Sequence, residues 1–183
     1  MNIVELSIEG LLVVEPRIFG DERGYFFESW NLGKYSSMGL PDNFVQDNVS
    51  FSQRGVLRGL HFQDPYPQGK LVSVLQGEVL DVVVDLRDGS PTYGQPEKVL
   101  LSSTNKKQFY LPPGFAHGFI VLSETAIFSY KCTDYYHPET EKTLMWNDPA
   151  LGIDWFNGSD IQPNISRKDS EGLLLSQIKP IKV

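Results

Sequence analysis

The sequence predicts an all-β protein, a sandwich or barrel of many short strands. Two observations lead there. Turn residues punctuate residues 45–133 again and again, at Gln53-Arg54-Gly55, at Gly77, across 88–91, at Asn105 and at Pro112-Pro113-Gly114. Between them the chain alternates with period two: Leu80, Val82, Val84 and Leu86 fall on one face, while Val79, Asp81, Val83 and Asp85 fall on the other. The second face is mixed, so Asp81 and Asp85 each stand beside valines.

The flanking segments follow the same reading. Residues 11–28 form a strand, a turn over 20–24, and a second strand through Tyr25, Phe26 and Phe27. Residues 31–38, closed by Gly39 and Pro41, make the one short helix of the first half. Residues 147–167 are irregular, and residues 171–178 form a short terminal helix. No repeat, low-complexity tract or linker interrupts the chain, so residues 1–183 constitute one domain.

Composition excludes several classes of function. The 183 residues carry a formal net charge of -7 without a Lys/Arg cluster, which repels a nucleic-acid backbone. A few local arginines still suffice for a small phosphate ester. A single cysteine, Cys132, forms no intrachain disulfide, and the first residues carry Glu5 and Glu9 in place of a basic segment leading an apolar run. No signal peptide and no membrane span are expected, and the cytoplasm is the default compartment.

Chemistry concentrates in three runs: Gly55-Val56-Leu57-Arg58-Gly59-Leu60-His61-Phe62-Gln63, Pro112-Pro113-Gly114-Phe115-Ala116-His117-Gly118, and Ser129-Tyr130-Lys131. The first two resemble the paired motifs of cupins, small jelly-roll barrels, but with the metal ligands altered. The His-x-His of that pattern becomes His61-Phe62-Gln63, and the position of its glutamate is taken by Lys70. Divalent sites need three or four neutral or anionic donors, so no metal is expected. A cavity holding His61, His117, Lys70 and Tyr130 suits removal of a proton beside a carbonyl instead. Histidine titrates near neutrality, a lysine or neutral histidine donates to the developing oxyanion, and a tyrosine returns the proton from another side. Taken singly, each residue is better explained by packing or capping, and it is the cupin pattern sending the lysine and both histidines into one cavity that weighs against this; His137, beside Pro138, stays structural.

Strand parity raises a difficulty. In a regular strand Leu57, Gly59, His61 and Gln63 share a face and Arg58 points away. A bulge or bend at Gly59 would let Arg58 and His61 reach one ligand.

Further runs complete the pattern: Phe19-Gly20-Asp21-Glu22-Arg23-Gly24-Tyr25-Phe26-Phe27-Glu28-Ser29, Phe44-Val45-Gln46-Asp47-Asn48, Gly69-Lys70-Leu71-Val72, Val82-Val83-Val84-Asp85-Leu86-Arg87 and Trp146-Asn147-Asp148-Pro149. In order and spacing, from about Val14 to Asp169, the chain closely resembles the dTDP-4-dehydrorhamnose 3,5-epimerase family. The resemblance implies a double-stranded β-helix jelly roll with short peripheral helices. It also implies a homodimer in which N-terminal strands, about residues 1–50, are exchanged with the partner. It assigns His61 as the base with Asp169 behind it, Tyr130 as the acid, and Lys70 and His117 beside the keto oxygen of a dTDP-4-keto-6-deoxy sugar. Nucleotide and diphosphate contacts carry over to Gln46, Asn48 and Arg58, with Arg23, Phe26 and Glu28 reaching in from the other subunit. Tyr136 matches the base-stacking tyrosine, although Tyr135 competes for the role, and Lys168 precedes the aspartate in the run Ser166-Arg167-Lys168-Asp169 as a substrate contact. No cofactor is implied, since the substrate arrives already oxidised and the chain has no Gly-x-Gly-x-x-Gly loop. Inversion at C3 alone or C5 alone, a 3,4-ketoisomerase, or a binding module without catalysis are the alternatives.

Overall fold

The computed structural model describes residues 1–156 and 158–183. Fourteen strands are assigned among them: β1 (Asn2–Glu5), β2 (Leu12–Glu15), β3 (Phe19–Asp21), β4 (Gly24–Phe26), β5 (Gln46–Gln53), β6 (Val56–Gln63), β7 (Lys70–Gln76), β8 (Glu78–Asp85), β9 (Pro96–Ser102), β10 (Gln108–Leu111), β11 (Phe115–Val121), β12 (Thr125–Cys132), β13 (Glu141–Thr143) and β14 (Asn164–Ile165). They form two main sheets, in the orders β1-β2-β10-β7-β12-β5 and β13-β6-β11-β8-β9, with β14 joining β6 in parallel. Pairing is otherwise antiparallel, and the two faces close on each other as a jelly roll.

The alternation of β8 explains how two of the three core clusters arise. Val79 and Val83 join Val72, Phe109, Phe119 and Phe128 between the sheets. Leu80, Val82, Val84 and Leu86 point the other way, into a second cluster with Leu144, Leu151, Trp155, Ile161 and Ile181. The irregular stretch after residue 144 therefore acts as a cover for an apolar sheet face. Trp155 is 2% exposed, with its indole N–H donating to the Trp146 carbonyl at 2.7 Å.

On the outer face of the first sheet a third cluster gathers Val14, Tyr35, Leu40, Leu71 and Tyr110 under Trp30 and Phe44. Helix α1 (Leu32–Ser36) supplies this cover. It starts where expected because the Asn31 side chain accepts from the Lys34 N–H, capping the first turn. The cover stops short of edge strand β5, where Val49 and Phe51 stay exposed, and of the end of β7, where Leu75 does.

The C-terminal helix differs from expectation. Helix α2 lies earlier, at Arg167–Ser170, capped by the Ser166 hydroxyl, and residues 171–178 contain only a single 3-10 turn at Leu175–Gln177. Bridges from Leu173 to Leu144 and from Ile181 to Arg87 hold this tail extended along the sheets, which prevents a longer helix. Among the described residues no helix is long and apolar enough to cross a membrane.

Candidate active site

Two adjoining lobes open between the sheets and share His61, Lys70 and Tyr130 on their walls. One lobe continues to Ser50, Arg58, His117, Phe119 and Phe128, the other to Gln63, Gln68, Phe115, Tyr136 and Glu141. Strand alternation fills them. Even-numbered positions of β5 and β12 face inward, so Gln46, Asn48, Ser50 and Ser52 on β5 lie beside Cys132, Tyr130, Phe128 and Ala126 on β12.

The irregularity foreseen at Gly59 is present. His117 pairs with His61 while Phe119 pairs with Arg58, so β6 carries one residue more than β11 across this interval. Gly59 sits at φ +120°, and a Cβ there would lie 2.5 Å from Gly118 Cα. Only glycine permits this close strand approach. The extra residue turns Arg58 to the side of His61, and its Nε donates to the Ser52 hydroxyl at 3.1 Å.

Each cavity histidine has its own carboxylate. His61 Nε2 lies 2.5 Å from Asp169 Oδ1. Burial would raise the Asp169 pKa, but the His61 ring and the Ser166 hydroxyl outweigh it and hold the carboxyl below its usual range. Asp169 is placed by the first turn of α2, its backbone N–H donating to Ser166. His117 Nε2 lies 2.9 Å and 3.0 Å from the two oxygens of Asp81. Asp81 is fully buried, which pushes its carboxyl up against the lowering pull of His117 and Lys70. Lys70 is pushed down by burial, and its ammonium lies 5.9 Å from the Tyr130 ring centre. Burial raises Tyr130, keeping the phenol protonated.

At the mouth, the Tyr136 hydroxyl donates to Glu141 at 2.8 Å, and the same carboxylate takes the Lys168 ammonium. Tyr135 is 61% exposed and lines neither lobe, so Tyr136 is the tyrosine turned toward the cavity. Gln46 Nε2 donates to Asn48, whose own amide reaches Cys132. Arg23, Phe26 and Glu28 line neither lobe. They sit on or after the exposed β3–β4 hairpin, where Arg23 pairs with Asp21 and Glu28 with Lys34.

Sequence reasoning missed two residues. Asp81 carried a signal, a carboxylate between Val79 and Val83 on an inward face, but not its partner. Glu141 carried none, because β13 is a three-residue strand whose register on β6 only the fold sets. Gln63, the altered metal-ligand position, is turned to the loops: its amide bonds Tyr66, Tyr135 and His137 backbone groups. Among the described residues no group of three His, Cys, Asp or Glu is arranged to hold a metal ion.

Two histidine–carboxylate pairs, a buried lysine and a protonated phenol around one cavity are the parts of acid–base carbon chemistry, and the protein is an isomerase of the jelly-roll class. Its residues 5–177 match the family model of dTDP-4-dehydrorhamnose 3,5-epimerase. The chain is similar to the dTDP-4-dehydrorhamnose 3,5-epimerases of Pseudomonas aeruginosa (53% identity over 173 residues, 94% of either chain) and Salmonella typhimurium (50% over 179 residues, 97% of either). It also superposes on the crystal structure of the dTDP-6-deoxy-D-glucose-3,5-epimerase of Legionella pneumophila in complex with dTDP-4-keto-L-rhamnose. The TM-score there is 0.93 at 55% identity, covering 97% of this chain and 94% of that one. The chain belongs to the dTDP-4-dehydrorhamnose 3,5-epimerase family, and its activity is that of the family, in dTDP-L-rhamnose biosynthesis.

Proposed function

We propose that His61 removes the protons at C3 and C5 of dTDP-4-dehydro-6-deoxyglucose and that Tyr130 returns each from the opposite face. The observation carrying this reading is the His61–Asp169 pair, with His61 and Tyr130 on strands of opposite sheets and lining the same lobes. The C4 ketone acidifies both neighbouring carbons. On proton transfer His61 becomes an imidazolium, which Asp169 stabilises, while the C4 oxygen gains the charge and rests against Lys70 and His117. In a dry cavity such preorganised donors lower the barrier by roughly 3 to 4 kcal/mol each. Tyr130 then protonates the planar carbon, and solvent resets both groups before the second carbon reacts. Asp81 holds the His117 ring in one orientation and tautomer throughout.

Arg58 binds the diphosphate, with Gln46 and Asn48 on the same wall, and Tyr136 stacks on the thymine. Lys168 supports the mouth through Glu141. Arg23, Phe26 and Glu28 act in the cavity of a second copy. In support, the β3–β4 hairpin stands exposed from its own barrel, and Val49 and Phe51 form an uncovered apolar strip on edge strand β5. A homodimer built on that strip, with the N-terminal strands exchanged, completes two sites at once. Residues 1–183 act as one domain, and the cytoplasm, where nucleotide sugars are made, is its compartment.

Turnover in heavy water tests the mechanism. Deuterium is expected at both C3 and C5 of recovered product by NMR. An active preparation that exchanges at neither carbon removes the mechanism, and exchange at one alone points to a single inversion.

A further inference from the structure

The loop that carries Tyr136 has no strand ladder to fix it, yet three consecutive backbone positions are held by side chains. The Gln63 amide nitrogen donates to the Tyr135 carbonyl at 3.3 Å, and its oxygen accepts the His137 N–H at 2.9 Å. Between them, the Tyr136 N–H donates to Gln46 Oε1 at 3.0 Å. The two glutamines come from opposite sheets, Gln63 from β6 and Gln46 from β5. Gln63 also ties in the other mouth loop, donating to the Tyr66 carbonyl at 2.7 Å, and the Tyr66 ring lies 4.6 Å from the His137 ring.

Gln63 is 4% exposed, and three of the four hydrogen bonds that an amide can make go to these loops. Its placement follows from β6 itself: Gln63 is the last residue of that strand, where the chain leaves the sheet toward the mouth. A buried amide that binds two loops at once gives them a single relative position, because any other arrangement leaves buried polar atoms unpaired.

We propose that Gln63 is a positioning residue for nucleotide recognition. It fixes the backbone on both sides of Tyr136, so that the ring faces the base before the ligand arrives. The inference rests on the reading that Tyr136 stacks on the base, and it assigns Gln63 to affinity rather than to proton transfer. Without the latch, ordering of the loop falls on the binding step, and affinity drops while chemistry at His61 continues.

The test measures dTDP affinity by calorimetry, together with kcat and KM for the 4-keto sugar nucleotide, in Gln63→Ala and Gln63→Met. The methionine keeps the length and removes all three bonds, which covers the case of an alanine variant that fails to fold. Folded variants are expected to bind dTDP about 10-fold more weakly, with KM rising in parallel and kcat nearly unchanged. In a Tyr136→Leu background the same substitutions should add almost nothing, since the latch acts through that ring. An unchanged dTDP affinity beside a weakened Tyr136→Leu overturns the latch alone. A loss of equal size in both backgrounds also overturns it, as does a fall in kcat at constant affinity. If Tyr136→Leu itself binds dTDP as the wild type does, the stacking reading goes, and this inference with it.

Discussion

Arg58 and His61 stand three residues apart on one strand and open into the same cavity, because β6 bulges at Gly59 against Gly118. The groups proposed to bind the diphosphate and to act as the base are thereby set in one rigid frame, whose spacing depends on a glycine with no room for a methyl.

Gly59→Ala should therefore reduce kcat/KM by roughly 10²-fold, since a shift of about 1 Å between reacting groups has an effect of that order. Steady-state kinetics and a melting curve on the same sample check it. Full activity in a folded variant would show that the bulge is dispensable.

The two histidine–carboxylate pairs should respond unequally. Asp169→Asn leaves a hydrogen bond to His61 but loses the charge that stabilises its imidazolium, so kcat should fall roughly 10²- to 10⁴-fold. Asp81→Asn acts one step further from the substrate, through His117, and should cost no more than about 10²-fold. Affinity for dTDP should stay near wild type in both, which calorimetry reads.

Stability should carry a separate acid dependence from Asp85, which lines neither lobe. Burial works to raise the Asp85 pKa, but bonds from Arg87, Thr92 and Ser90 outweigh it and hold the carboxyl at about 2, against an ordinary 3.8. A depressed folded pKa contributes stability that is complete above the unfolded value and lost as pH falls through the folded one. The contribution is about 2 kcal/mol. Asp85→Asn should lower urea-unfolding stability near neutrality, and the gap to wild type should close as pH falls from ~4 to ~2. A gap that stays constant over that window would assign the residue's effect to packing.

Association should depend on the uncovered strip of β5. Phe51→Glu places a charge where Phe51 is 58% exposed on the same face of β5 as Val49. Sedimentation should show a dimer for the wild type and a monomer for the variant, with turnover lost because Arg23 and Phe26 no longer reach a second cavity. A wild-type monomer with full activity would rule out the shared site.

The barrel was legible in the chain because alternation and turn chemistry are local: the two faces of β8 and the glycine and proline punctuation fix strand after strand without reference to distant residues. The motifs likewise showed His61, His117, Lys70 and Tyr130 as a set, and Gly59 as the place where strand parity had to break. Apart from Asp169 behind His61, which the family resemblance supplied, partnerships were not legible. Asp81 meets His117 and Glu141 meets Tyr136 across separations that depend on which strands pair and in what register, and α2 replaced the expected later helix because bridges to Leu144 and Arg87 stretch the tail. Residue type and local pattern determined which chemistry was available; long-range pairing between sheets decided which atoms stand within hydrogen-bonding distance, since a contact of about 3 Å is set by the whole packed core.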